Sequence, residues 1–285
     1  MRPLGRTGVD LPVLGLGTAP AGHRIEKDAL EFFQECLDAG ITHIDTGPQT
    51  GGYGHAQVYL GKILRERRDE LFIATRCDEP DGEKALKQLT QNLAHLGIER
   101  ADLVYAQSLG ADAMTPEKIY GPAGVCKALE KARADGLTRF LGVTGHHKPW
   151  RFLRAIQEWD FDVMMNPVSI VARHIYDFEG HVWPAAQARG IALIGMKVFG
   201  GVKESARSPK GALLDDELKQ QALRYALGLP GVTGVVIGMY DGEELRQLLE
   251  WVRNPLSFGP EDLKEIELRT RTLAGEWQEV YGPVI

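Results

Sequence analysis

Cysteine is scarce in this chain: Cys36, Cys77 and Cys126 are the only three among 285 residues. An odd, widely separated set has no metal-ligand spacing, which leaves the three as free thiols of a reducing compartment. Positive charge is in deficit as well. The formal net charge of -6 excludes the basic face that a nucleic acid or an anionic membrane surface requires. No segment reaches the ~18 consecutive apolar residues of a membrane span, and the opening "MRPLGRTGVDLP" holds no apolar run of signal-peptide length. A cytoplasmic protein without a membrane or nucleic-acid partner is the expectation. Linkers rich in proline and serine, charge blocks and low-complexity runs are missing too, so residues 1–285 are expected to form one domain.

What is present is a core. With 44% hydrophobic and 25% charged residues, the composition suits a folded chain with a large buried interior. Eight short apolar or β-branched runs recur: "PVLGLG", "ITHIDTG", "ELFIATR", "ADLVYAQ", "TRFLGVTG", "DVMMNPVS", "IALIGMKV" and "VTGVVIGM". Most begin roughly 30 residues apart, about the length of one strand-helix unit. Between them lie helical patterns that end in glycine, as in Leu30, Phe33 and Leu37 before Gly40, and Leu86, Leu89, Leu93 and Leu96 before Gly97. The runs are continuously apolar, as expected of a parallel sheet buried on both faces. An α/β fold of the (β/α)8 TIM-barrel type follows, preceded by an N-terminal β-hairpin plug that turns at Thr7-Gly8. An open doubly wound sheet is the alternative, but no Gly-x-Gly-x-x-Gly stands between a strand and a helix.

In such a barrel, function sits at the C-terminal strand ends. The ends here are Thr18 and Ala19, Asp45, Arg76, Gln107, Thr144 with His146, Ser169, Lys197 and Met239. The irregular stretches 108–118, 169–178 and 199–214 follow strands four, six and seven and are expected to cover that face. The stretch "HIDTGPQTGGYGHAQ" carries two readings. Asp45 and Tyr53 are an acid/base pair at the mouth, or a strand terminus followed by an ordinary glycine loop. His146 is either a substrate-facing hydrogen-bond donor or a helix cap. The adjacent His146 and His147 lack a further ligand at metal spacing, so no metal site is expected. Lys197 is a cation for a pyrophosphate or a substrate carboxylate, or else a Schiff-base lysine.

The order and spacing of "LGLGT", "DAGITHIDTG", "YGHAQVYLGKIL", "LFIATR", "TRFLGVTGH" and "ARGIALIGMKVFGG" resemble the aldo-keto reductase superfamily over nearly the whole chain. The nearest likeness is to a bacterial branch carrying "GVTGH" and "GMKVFGG" type strand ends. The resemblance implies reduction of a small carbonyl or sugar-like substrate by hydride from NADP or NAD. It also implies four assisting side chains: an aspartate, a proton-donating tyrosine, a lysine and a histidine. A free tyrosine, near pKa 10, donates poorly at neutral pH without a cation to stabilise its phenolate.

Carried over, the aspartate is Asp45 and the tyrosine is Tyr53, although the usual spacing falls on Thr50; the loop "GPQTGG" is longer than the family's. The lysine position holds Arg76, which keeps the charge in a planar, permanently protonated group. The histidine position holds Gln107, which hydrogen-bonds but relays no proton. The resemblance also assigns cofactor contacts to Gly17, Thr18, Thr144, Gly145, Lys197, Gly238 and Met239, with Met165 and Met196 where a glutamine and a stacking aromatic usually stand. It makes "GMYDGEELRQ" a phosphate loop, with Arg246 a candidate for a 2′-phosphate and Lys203 and Arg207 further cations. The altered tetrad leaves two other readings: a non-redox lyase or isomerase on the same barrel, and a nucleotide-binding member with little catalysis.

Overall fold

All eight runs become parallel strands of one closed barrel. The computed structural model describes residues 1–200, 214–254 and 258–285. A two-stranded hairpin, β1 (Arg2–Pro3) and β2 (Asp10–Leu11), comes first. The barrel strands follow: β3 (Leu14–Gly17), β4 (His43–Asp45), β5 (Phe72–Cys77), β6 (Ala101–Ala106), β7 (Thr138–Thr144), β8 (Val163–Pro167), β9 (Ala192–Met196) and β10 (Val232–Gly238). They pair in sequence order, and β10 closes onto β3. The helices are α1 (Glu26–Asp38), α2 (Ala56–Arg67), α3 (Gly82–Leu96), α4 (Pro116–Tyr120), α5 (Val125–Ala134), α6 (Pro149–Glu158), α7 (Phe178–His181), α8 (Trp183–Gln187), α9 (Asp216–Gly228), α10 (Gly242–Arg253) and α11 (Pro260–Trp277). Gly40 and Gly97, the expected helix stops, have positive φ of 90° and 64°, the left-handed region that glycine enters without a β-carbon penalty.

 The hairpin turns at Thr7-Gly8, after a 3-10 turn over Gly5–Thr7, with Gly8 at a φ of 74°.

Alternation along the strands divides two apolar layers. Ile73, Val104, Ala106, Leu141, Val143, Met164, Leu193 and Val235 face outward and pack with the helices. Phe72, Ala74, Leu103, Tyr105, Val163, Met165, Ala192, Ile194, Met196 and Val236 fill the interior together with Leu4 and Leu11 of the hairpin. Burial on both faces accounts for the continuously apolar runs. Leu4 packs with the residues that begin β5, β8 and β9, so the hairpin closes the N-terminal end; Thr233 Oγ1 anchors it by donating to the Pro3 carbonyl at 2.9 Å.

The interior is filled tightly enough to dictate glycine on β7. A β-carbon on Gly142 would lie 2.6 Å from the Tyr105 ring and 2.8 Å from the Val163 carbonyl oxygen. Gly142→Ala is therefore expected to destabilise the fold by about 1–3 kcal/mol, the cost of overpacking a filled core. Urea unfolding measures this, and a change within about 0.5 kcal/mol, as at an ordinary surface site, would contradict the packing described.

Candidate active site

The same alternation that buries Phe72 and Leu103 carries four polar side chains to the top of the interior. Asp45 ends β4, Arg76 lies two residues beyond Ala74 on β5, Gln107 follows Tyr105 just past β6, and Thr144 ends β7. Each is at most 7% exposed. The other half of this layer is apolar or bare, with Met165, Met196, Gly17 and Gly238 on β8, β9, β3 and β10.

Tyr53 reaches this layer from the β4–α2 loop. The longer loop makes a 3-10 turn over Gln49–Gly51, and its far end docks on the turn before α1, where His55 N donates to the Gly22 carbonyl at 2.9 Å. Gly47 makes room for the ring, since a β-carbon there would lie 2.7 Å from it. The Tyr53 hydroxyl then donates to Asp45 Oδ1 at 3.3 Å. Thr50, at the usual family spacing, is turned to the rim: its hydroxyl donates to Asp78 Oδ1 and accepts from Gln88 Nε2, both at 3.2 Å.

Arg76 is the centre of the cluster. Its Nη2 donates to Asp45 Oδ1 and its Nε to the Thr46 carbonyl at 3.2 Å. The guanidinium carbon lies 4.8 Å from the centre of the Tyr53 ring and 5.7 Å from that of Tyr105, so the cation contacts two aromatic rings. Burial pushes the Asp45 carboxyl above its ordinary value, against the pull of the Arg76 charge. Burial alone would lower the Arg76 pKa, but Asp45, Tyr53 and Tyr105 together outweigh it and hold the guanidinium protonated. Tyr105, fully buried, has its hydroxyl pushed well above the ordinary range by burial and then by the Asp45 charge. It escapes a reading confined to strand ends; its alternation with Gln107 in "LVYAQ" is the signal that places it inward.

The positions assigned to a cofactor divide. Gly17 and Gly238 bring two strand ends together, a β-carbon on Gly17 falling 3.1 Å from Gly238 N. With Met196 they make one side of the mouth apolar among the described residues, and these residues would lie against a nicotinamide ring. Thr18 is turned away from the mouth, both its N and its Oγ1 donating to the Asp45 carbonyl, at 3.0 and 3.1 Å. The Gly145 carbonyl accepts from Asn166 Nδ2 at 3.3 Å. Lys197, partly buried, follows Met196 with a φ of 56°. Met239 is fully buried in the outer apolar layer, which leaves only its backbone for a ligand.

The expected phosphate loop, from Gly238 into the start of α10, is held by its own side chains. Three of its N–H groups bond carboxylates of the chain: Asp241 Oδ1 accepts from Glu243 N and Glu244 N at 3.0 Å, and Glu244 Oε2 from Tyr240 N at 2.7 Å. The Glu35 carboxylate lies 2.5 Å from where a Gly242 β-carbon would stand. Arg246 Nε donates to the Gly242 carbonyl within its own helix at 3.0 Å. Lys203 and Arg207 lie outside the described residues.

His146, partly buried, lies at the rim against the C-terminal segment, its ring centre 6.0 Å from that of Tyr281. Tyr281 stacks on Tyr176, whose hydroxyl donates to the Gly282 carbonyl at 3.0 Å. Ser169 Oγ accepts from Val171 N and Ala172 N and caps a turn instead of facing the mouth. Among the described residues no group of three or more His, Cys, Asp or Glu side chains is arranged to hold a metal ion, all three cysteines are buried and free, and no helix is long and apolar enough to cross a membrane.

A (β/α)8 barrel with a buried Asp–Arg pair and a tyrosine hydroxyl at its C-terminal mouth belongs to the barrel oxidoreductases. The chain is a member of the Aldo/keto reductase family, whose sequence profile matches residues 13–215. L-galactose dehydrogenase of Arabidopsis thaliana is 29% identical over 161 residues, covering 51% of this chain and 48% of that protein. Pyridoxal 4-dehydrogenase of Microbacterium luteolum is 25% identical over 322 aligned positions, covering 88% of this chain and 92% of its own. Among solved structures, the holo form of an aldo-keto reductase from Bacillus halodurans superposes with a TM-score of 0.74 at 18% identity, covering 94% of this chain and 95% of its own; at that identity the likeness concerns the fold.

Proposed function

We propose that the chain is an NAD(P)H-dependent oxidoreductase that reduces a small carbonyl or sugar-like substrate, with Tyr53 as proton donor. The observation that carries this reading is the Tyr53 hydroxyl on Asp45 Oδ1, with the Arg76 cation over the Tyr53 ring. A nicotinamide dinucleotide, when bound, would supply the hydride that reduces the carbonyl carbon. The carbonyl oxygen takes the Tyr53 proton and becomes a hydroxyl, and water returns the proton to the phenolate. Arg76 stabilises that phenolate through space, as a permanently charged group in a water-poor site. Asp45 holds the cation in place and orients the phenol until the substrate oxygen replaces it. The relatives named for L-galactose and pyridoxal support a small polar substrate.

The carboxylate-filled start of α10 favours the dinucleotide without a 2′-phosphate, because an added phosphate would face Glu35, Asp241 and Glu244 at a helix end where three donors are occupied. Calorimetric titration tests both points. Binding of either dinucleotide supports the function, and its absence for both removes it. NADH is expected to bind about tenfold more tightly than NADPH, the effect of about 1.4 kcal/mol of charge repulsion; tighter binding of NADPH overturns the assignment of this corner.

A further inference from the structure

Two hydrogen bonds fix the Arg76 guanidinium, from Nη2 to Asp45 Oδ1 and from Nε to the Thr46 carbonyl. Two points define an axis, and a planar group can still swing about it. What else touches the group therefore decides where its charge stands relative to the Tyr53 phenol, and two rings do so, Tyr53 at 4.8 Å and Tyr105 at 5.7 Å from guanidinium carbon to ring centre. They differ in how firmly they are held. Tyr53 arrives on the β4–α2 loop and is only partly buried, whereas Tyr105 stands fully buried on β6, in direct register with Arg76 on β5 and Gly142 on β7. Its ring lies over the bare backbone of Gly142, where a β-carbon would come within 2.6 Å of it. The Tyr105 hydroxyl is buried and has no hydrogen-bond partner among the described residues. An unpaired hydroxyl does nothing to hold a ring in place and destabilises the fold that buries it, so what Tyr105 offers Arg76 is its flat face.

We propose that Tyr105 is a positioning residue for the proton transfer: its ring, fixed to the barrel wall, holds the Arg76 guanidinium against the Tyr53 phenol. The proposal rests on the reading of Tyr53 as proton donor. Tyr105 itself exchanges no proton, since burial and then the Asp45 charge push its hydroxyl well above the ordinary range. Its effect passes through Arg76, whose charge stabilises the Tyr53 phenolate only from close by, the interaction falling with distance. A guanidinium needs this support because it is a plane whose orientation has to be set, whereas an ammonium is a compact point charge. Without the ring, Arg76 keeps its two hydrogen bonds and turns about them away from the phenol. Tyr53 then becomes a weaker acid.

Two variants separate the ring from the rest of the side chain. Tyr105→Met keeps much of the volume and removes the flat face; Tyr105→Phe keeps the face and removes the unpaired hydroxyl. The first measurement is a near-ultraviolet absorbance titration of the protein without substrate or dinucleotide, in which the ionisation lost when Tyr53→Phe is introduced into each form belongs to Tyr53. That ionisation is expected to move up by about one pH unit in Tyr105→Met, a tenfold weaker acid, and to return to the parental position in Tyr105→Phe. In carbonyl reduction the high-pH limb of the kcat/KM profile should follow the same order, with kcat about three- to tenfold lower in Tyr105→Met and KM unchanged. A merely structural role would lower the urea midpoint and leave the titration where it is. An ionisation unmoved in Tyr105→Met, or moved as far in Tyr105→Phe, overturns the proposal, as does a parent with no ionisation that Tyr53→Phe removes. Tyr105→Phe can refute it alone if the methionine variant does not fold. A shifted titration without any carbonyl reduction would remove the reductase reading and leave the positioning of Arg76 standing.

Discussion

Tyr53→Phe is expected to lower kcat for a carbonyl substrate by about 10²–10⁴-fold, the usual contribution of a positioned general acid. Dinucleotide affinity should hardly change. The substitution removes one oxygen and keeps the ring that lies over Arg76, so the loop between β4 and α2 retains its packing. Two nearby hydroxyls are placed differently. Thr50 is bonded to Asp78 and Gln88 at the rim, and Tyr105 is fully buried with its pKa pushed well up. Steady-state rates of cofactor oxidation, measured beside a dinucleotide titration of the same variant, separate the chemical step from binding. Turnover within about threefold of the parent, small against the loss of a positioned acid, would remove Tyr53 as proton donor.

Much of the fold was legible because a barrel strand is readable from composition alone. Runs such as "ELFIATR" and "IALIGMKV" are apolar on both faces, and glycines 40 and 97 mark where helices stop. The site was legible in part for a related reason. Once strand ends are located, a period of two decides which side chains face inward, and this places Asp45, Arg76, Gln107 and Thr144 together. Three features were not readable in this way. The path of Pro48 to Tyr53 depends on contacts with Gly22 and Gly47, residues that carry no side-chain signal. The start of α10 looks like an anion seat in sequence, and the bonding of three of its N–H groups to Asp241 and Glu244, with Glu35 beside Gly242, depends on side-chain positions that no local pattern encodes. The meeting of His146 with Tyr281 joins positions far apart in the chain, which no local pattern encodes.

Arg76→Met is expected to cost about 3–5 kcal/mol of stability, because it leaves the Asp45 carboxylate buried and uncompensated. The pair is almost wholly withdrawn from water, with side-chain exposures of 4% for Arg76 and 2% for Asp45. Surface pairs in this protein, such as Lys131 with Asp135, have no comparable consequence, since water replaces the missing partner. Arg76→Lys separates charge from shape. It restores the positive charge that the family's lysine supplies, but it loses the planar contact with the Tyr53 and Tyr105 rings and the bond from Nε to the Thr46 carbonyl. Its stability is therefore expected between those of the parent and the methionine variant. The double variant Asp45→Asn with Arg76→Met should recover much of the loss, since no buried charge remains, and the cycle of four proteins isolates the coupling. Denaturant unfolding of all four gives the answer. If Arg76→Met unfolds within about 1 kcal/mol of the parent, close to the average for any substitution, water reaches Asp45 and the buried pair is not what holds the mouth of the barrel in register.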